Sequence, residues 1–241
     1  MIWSASALKG LSIAATDGEI GTVSDCLFDD ATWRLRYLVV DTGTWLPGRL
    51  VLLHPSVLGV PHDRSLPVSL TRAKVEASPD IQQDLPVSQQ MEQRVSAYYG
   101  WNPGWGGGAF GMESLVVPLA PPETAELDAT GDPHLRSVSA TIGQHIQATD
   151  GTIGHASDVL ISDGDWTLRY LVIDTRNWWP GQHVLLSPQT IAAIDWLDQK
   201  IDVRVTQAQV QSSPKWDPAA TLDEAYEQQL RSHYDWRAPP G

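Results

Sequence analysis

The chain has 241 residues, enough for one large or two small domains, and its 42% hydrophobic and 19% charged content is that of a globular protein. A net charge of −13 and a pI near 4.7 set it against phosphate backbones and anionic membrane surfaces, so a nucleic-acid footprint is disfavoured. One cysteine, Cys26, excludes an intrachain disulfide and a cysteine-rich metal site, and no apolar run is long enough to span a membrane.

Met1 to Gly10 has no charged stretch followed by an apolar one, so no secretory leader is read and the cytoplasm is the expected compartment. Leu11 to Ala15 reads as a first strand. Asp17-Gly18 then tolerates the positive φ of a tight hairpin, and Ile20 to Phe28 reads as the returning strand. Gly21 inside it suggests a bulge or a corner. Leu35 to Asp41 is the expected core strand, with Leu35, Tyr37 and Val39 facing one way and Arg36, Leu38 and Val40 the other. Both faces are largely apolar and need a cover, either a helix or the other repeat. Trp45-Leu46-Pro47-Gly48 is a turn, because Pro presets φ and Gly supplies the positive φ that follows. Leu50 to Leu53 resumes the sheet, and a turn at Pro55 leads to an edge strand around Val68 to Thr71. Val87, Met91, Val95 and Tyr99 recur every four residues, the apolar stripe of a helix that Ser88 is placed to cap. The Gly- and Pro-rich stretch 101–137 reads as a linker.

The second half repeats the first. Asp17 to Pro55 aligns with Asp150 to Pro188 at a constant offset of 133 residues without a gap, and 23 of these 39 positions are identical. The chain is therefore an internal duplication. Leu168-Arg169-Tyr170-Leu171-Val172-Ile173-Asp174 is the second core strand, and Trp178-Trp179-Pro180-Gly181 the second turn. Leu222, Tyr226, Leu230 and Tyr234 form the closing helix stripe, with capping-box spacing between Thr221 and Glu224. The expected division is 1–100 for the first repeat with its helix, 101–137 for the linker and 138–241 for the second repeat with its helix.

Few residues point to chemistry. Gly106 to Gly111 spells G-x-G-x-x-G without the flanking strand and helix that cradle a phosphate. Ser6 to Lys9 and Ser212 to Lys215 spell S-x-x-K without companion motifs. None of the seven histidines occupies a matching position in both copies. The polar residues that do match are Asp17/Asp150, Asp25/Asp158, Asp30/Asp163, Arg36/Arg169, Asp41/Asp174 and Thr42/Thr175. Asp41 and Asp174 are placed to pair with Arg36 or Arg169, or to cap the turn that follows. No metal, cofactor or catalytic residue is assigned. Cys26, inside an apolar run, reads as a small buried hydrophobe.

Asp17-Gly18-x-Ile20-Gly21-x-Val23-x-Asp25 followed by Arg36-Tyr37-Leu38-Val39-Val40-Asp41 resembles the PRC-barrel family. The second copy carries the same signature, departing from it at Ala156, where the first has Val23. The resemblance extends to the cytoplasmic domain of the photosynthetic reaction-centre H subunit and to the barrel of a ribosomal RNA maturation factor. It implies a mainly β fold with a few helices: two small β-barrels in tandem, each followed by an amphipathic helix. It also implies protein contacts and assembly rather than catalysis.

The expected function is thus a non-enzymatic interaction or scaffolding module with a protein partner. Trp45, Leu46 and Pro47, with Trp178, Trp179 and Pro180, are the candidate surface, since tryptophan is favoured at interface anchors. Homo-oligomerisation is left open. One alternative is a small-ligand protein or hydrolase using acidic residues at the seam between the repeats. Another is an assembly or electron-transfer accessory of a photosynthetic reaction centre.

Overall fold

A computed structural model describes residues 1–78, 98, 134–175, 182–218 and 222–235. The stripe at Val87, Met91, Val95 and Tyr99, most of the expected linker, and the Trp178-Trp179-Pro180 turn lie outside the described residues. The chain opens with β1 (Ile2–Ser4) and one helical turn, α1 (Ala5–Leu8). There follow β2 (Ser12–Ala15), β3 (Gly18–Asp29), β4 (Arg34–Asp41), β5 (Leu50–Leu53), β6 (Ser65–Pro67) and α2 (Arg72–Glu76). The second half runs β7 (Leu135–Ser137), α3 (Val138–Thr141), β8 (His145–Ala148), β9 (Gly151–Ser162), β10 (Leu168–Asp174) and β11 (His183–Leu186). It ends with β12 (Ile191–Asp195), β13 (Lys200–Val203), α4 (Gln207–Gln211) and α5 (Glu224–Tyr234).

The fold is mainly β, built on two sheets. One runs β5-β4-β3-β2-β6, the other β11-β10-β9-β8-β13-β12. Neither ladder closes into a barrel among the described residues. Neighbours are antiparallel except at β2 with β6 and at β8 with β13, which are parallel. The core strand β4 is buried at every position between its two ends, as its two apolar faces require. In the second half α5 packs on the core: Leu230 is fully buried, Tyr234 nearly so, Leu222 and Tyr226 are partly buried, and Tyr170 of β10 donates to Glu227 of the helix. The cap of α5 is Asp223, not Thr221. It sits immediately before the first helical residue, where its carboxylate accepts from the Tyr226 amide at 2.7 Å.

The two sheets exchange their outermost segments. β1 does not join the first sheet but lies antiparallel on β9, pairing Ile2 with Ser162, Trp3 with Ile161 and Ser4 with Leu160. Reciprocally, β7 lies on β3, pairing Leu27 with Ser137, Phe28 with Arg136 and Asp29 with Leu135. The exchange explains why β3 and β9 are 12 residues long. The first part of each pairs with its own repeat, at β2 or β8. The last part pairs with the strand that arrives from the other repeat.

A pseudo-two-fold axis follows from this. Leu35 N–H donates to Trp166 O and Leu168 N–H to Trp33 O, both at 2.8 Å, so the same bond is made twice, once in each direction. Trp33 and Trp166 hold left-handed backbones at φ 57° and 52°, which is costly for a bulky residue. Ring burial and the reciprocal bonds at the seam offset that cost.

Exchange of this kind binds the halves without the connecting chain. Cutting the backbone at a protease site inserted between residues 101 and 110 is expected to leave both fragments eluting together as one species. Two separately eluting fragments would refute the exchange.

Candidate functional site

Two of the matched polar pairs, Asp25/Asp158 and Asp30/Asp163, gather at the seam. Asp25 lies on β3 with its carboxylate turned to the arriving segment β7–α3. It accepts from the Ser137 hydroxyl at 2.5 Å, the Ser139 amide at 3.1 Å and the Ser139 hydroxyl at 2.9 Å. Asp158 does the same for β1–α1, accepting from the Ser6 amide at 3.2 Å and from the Ser6 hydroxyl. Each also accepts from the amide of the residue after it, Cys26 at 2.8 Å and Val159 at 2.7 Å. The serines before each helical turn, Ser4 and Ser137, cap it, which fixes the angle at which it meets the aspartate.

Asp30 and Asp163 make a second matched pair. Asp163 accepts from the Met1 ammonium at 2.6 Å and from the Trp3 indole at 3.0 Å. Asp30 accepts from His134 at 2.8 Å, the Arg136 guanidinium at 2.9 Å and the Trp196 indole at 3.1 Å. Arg136 in turn stacks over Trp196, 4.7 Å from the ring centre. Asp17 and Asp150 serve within each repeat, accepting from the first amides of α2 and α4, Arg72 at 2.7 Å and Gln207 at 2.8 Å.

The residues singled out from the sequence fall elsewhere. Arg36 reaches Asp29 at 3.4 Å and Arg169 reaches Asp165 at 3.2 Å, rather than Asp41 and Asp174. Five positions along a strand put two side chains on opposite faces, which separates Arg36 from Asp41 and Arg169 from Asp174. Asp41 instead caps its turn, accepting from the Gly43 amide at 2.8 Å. Asp174 is 1% exposed with the His183 ring 3.9 Å away. Asp41 and Asp174 belong to different sheets and do not converge.

Trp45 is half-buried against the core, with the Arg72 guanidinium 4.7 Å above its ring. Leu46 is half-buried and Pro47 exposed. The turn is held from inside, where the buried Thr42 hydroxyl, 2.7 Å from Leu46 O and 2.8 Å from Arg49 O, shares its one proton between them.

Burial, with the Asp25 charge beside it, pushes the Cys26 thiol far up, so it stays protonated. Burial, and then the Arg36 guanidinium, holds His54 below the usual imidazole range. Burial and the neighbouring Glu227 carboxylate push the Tyr170 phenol up to about 12, so it remains a donor to Glu227 at 3.0 Å. No group of three or more His, Cys, Asp or Glu side chains that could hold a metal occurs among the described residues.

Several cavities open along the seam among the described residues, two of them beside β7 and beside Trp33. One of about 590 Å³ lies beside β7 and is lined by Leu27, Leu135, Ile142 and Trp196. The other, about 390 Å³, takes Trp33 from the first repeat and Tyr170, Arg169, Arg204 and Arg231 from the second. Neither is lined by Asp41 or Asp174.

The sequence reading assigned Ser6 and Ser139 no structural role, although they complete the clamps. The signal was present: Ser4-x-Ser6-Ala7 and Ser137-x-Ser139-Ala140 keep the 133-residue offset. Among the described residues no helix is long and apolar enough to cross a membrane. No curated protein matches the chain. The family whose model it does match is the PRC-barrel domain, over residues 3–64, a span that begins in the exchanged strand β1 and ends just before β6.

Proposed function

We propose that the protein is a non-catalytic interaction or assembly module in which two PRC-type repeats present one rigid body to a protein partner. The observation that carries this reading is the use made of the polar residues common to both copies. Asp17/Asp150, Asp25/Asp158 and Asp30/Asp163 bond amides, hydroxyls and indoles that hold the halves together or begin helices. A duplicated catalytic element would have left matched groups facing one shared cavity; Asp25 and Asp158 line separate ones, and their oxygens are taken up by structural donors.

The partner surface we assign is the turn at Trp45, Leu46 and Pro47 with its counterpart Trp178, Trp179 and Pro180. A tryptophan beside an exposed proline offers rigid apolar area at little entropic cost. The test is a pull-down from a cell extract with the wild type against Trp45→Ala/Trp178→Ala and, separately, Pro47→Glu. Loss of specific partners with an unchanged melting curve is expected. Retention of every partner by all the folded variants would remove these turns as the contact surface.

A further inference from the structure

The two copies differ in ways that change the charge of one cavity. In the first repeat Arg36 is buried and paired with Asp29 on its own sheet. At the position equivalent to Asp29 the second repeat has Ser162, so Arg169 loses that partner and is left with an exposed i,i+4 pair to Asp165. Ser69 of the first repeat is replaced by Arg204 in the second, and Arg231 comes from α5. All three arginines line the 390 Å³ cavity at the seam. The chain carries 16 Lys and Arg against 29 Asp and Glu, so three arginines around one opening is a local reversal of its charge.

These guanidiniums are far from saturated. Each carries five N–H groups. Among the described residues Arg169 donates to Asp165 at 3.2 Å, Arg204 to Gln189 O at 3.4 Å and Arg231 to Glu227 at 3.3 Å. Glu227 also accepts from the Tyr170 hydroxyl, through its other oxygen. The three cations and the two carboxylates beside them leave an uncompensated positive charge. Trp33, Tyr170 and Pro188 give part of the remaining wall an apolar or aromatic face, beside the polar Thr32, Thr167, Ser187 and Gln189. The volume lies within the range of small-molecule sites.

We propose that this cavity binds a small anion bearing a phosphate or carboxylate group on an apolar body. The anionic head would take bidentate bonds from the arginine fork, and the body would lie on Trp33 and Tyr170. The site needs both repeats, since Trp33 belongs to the first and the arginines to the second.

Calorimetric titration of the full chain with phenyl phosphate, benzoate, inorganic phosphate and phenol tests this. Saturable binding of phenyl phosphate or benzoate with Kd below about 1 mM is expected, weakening as salt is added. Inorganic phosphate should bind more weakly and phenol not measurably. Arg204→Ala, at an exposed position, and Arg204→Ala/Arg231→Ala should each weaken binding, the double variant by about tenfold or more, while the exposed Arg64→Ala leaves it unchanged. No saturation by any of the three anions up to about 10 mM would overturn the proposal. So would phenol binding as tightly as phenyl phosphate, or binding indifferent to Arg204→Ala.

Discussion

Gly21→Ala and Gly154→Ala are each expected to destabilise the protein by roughly 3 kcal/mol or more, a Tm drop of about 6–12 °C for a chain of this size. The two glycines occupy the same place in β3 and β9, at φ 142° and 139°. Each sits at a register shift. Ile13 pairs with Gly21 and Ala14 with Glu19, so Ile20 is the extra residue; in the second sheet Ile146 pairs with Gly154, Gln147 with Thr152, and Ile153 is extra. Both isoleucines are fully buried, so the bulge turns a large side chain into the core while bending the long strand. A Cβ on either glycine would overlap the carbonyl oxygen of the facing strand, Asp41 in one repeat and Asp174 in the other. That atom is backbone within a hydrogen-bonded sheet and cannot step aside. Gly43→Ala supplies the contrast. Its φ of 57° is also left-handed, but nothing lies within 4 Å of the added carbon, so only the backbone strain of about 1–2 kcal/mol applies. A thermal melt of the three variants separates steric overlap from backbone strain. If Gly154→Ala melted within about 2 °C of the wild type, the close approach of the strands would be refuted.

The same glycines show what was legible in the sequence. A glycine inside each copy of an otherwise apolar strand marks a bulge or corner without any knowledge of the partner strand. The core strands were equally readable, because Leu35 to Asp41 and Leu168 to Asp174 are β-rich runs with apolar residues on both faces. The exchange was not readable. Ile2-Trp3-Ser4 and Leu135-Arg136-Ser137 are too short for any periodicity to register, and the second closes a Gly- and Pro-rich stretch expected to be linker. Nothing local records that a strand pairs with the other repeat. For that reason Asp25 and Asp158 stood out as matched carboxylates without a role: their partners lie 112 to 114 and 152 residues away. The arginine cavity was hidden for a different reason. It is made by positions where the copies disagree, Asp29 against Ser162 and Ser69 against Arg204, and identity between copies points away from them.

Removing both clamps, Asp25→Ala with Asp158→Ala, should cost about 3–5 kcal/mol and free the exchanged strands to exchange amide hydrogens. A net hydrogen bond to a charged acceptor contributes about 1.5–3 kcal/mol, and partial exposure of these carboxylates lowers that figure. Each nevertheless gathers several donors, and removing it strands the amide of the residue that follows, Cys26 or Val159. The two clamps are neighbours. Ser6 and Ser139 border one small cavity with Asp25, Ala5 and Val138, so α1 and α3 lie together near the pseudo-two-fold axis. Loss of one exchanged segment removes a packing surface from the other. The double variant should therefore depart from the sum of the singles by more than the roughly 0.5 kcal/mol expected of independent sites. Asp→Asn at both positions should cost less, because the amide oxygen still accepts from the arriving serine and a hydroxyl can rotate to accept from the new N–H. Denaturant melts and hydrogen exchange at Ile2 to Ser4 and Leu135 to Ser137 provide the readout. A double Ala variant within about 0.5 kcal/mol of the wild type, with those amides still protected, would show that the carboxylates do not hold the exchange. The joining of the repeats would then rest on the Trp33 and Trp166 seam and the ladder bonds alone.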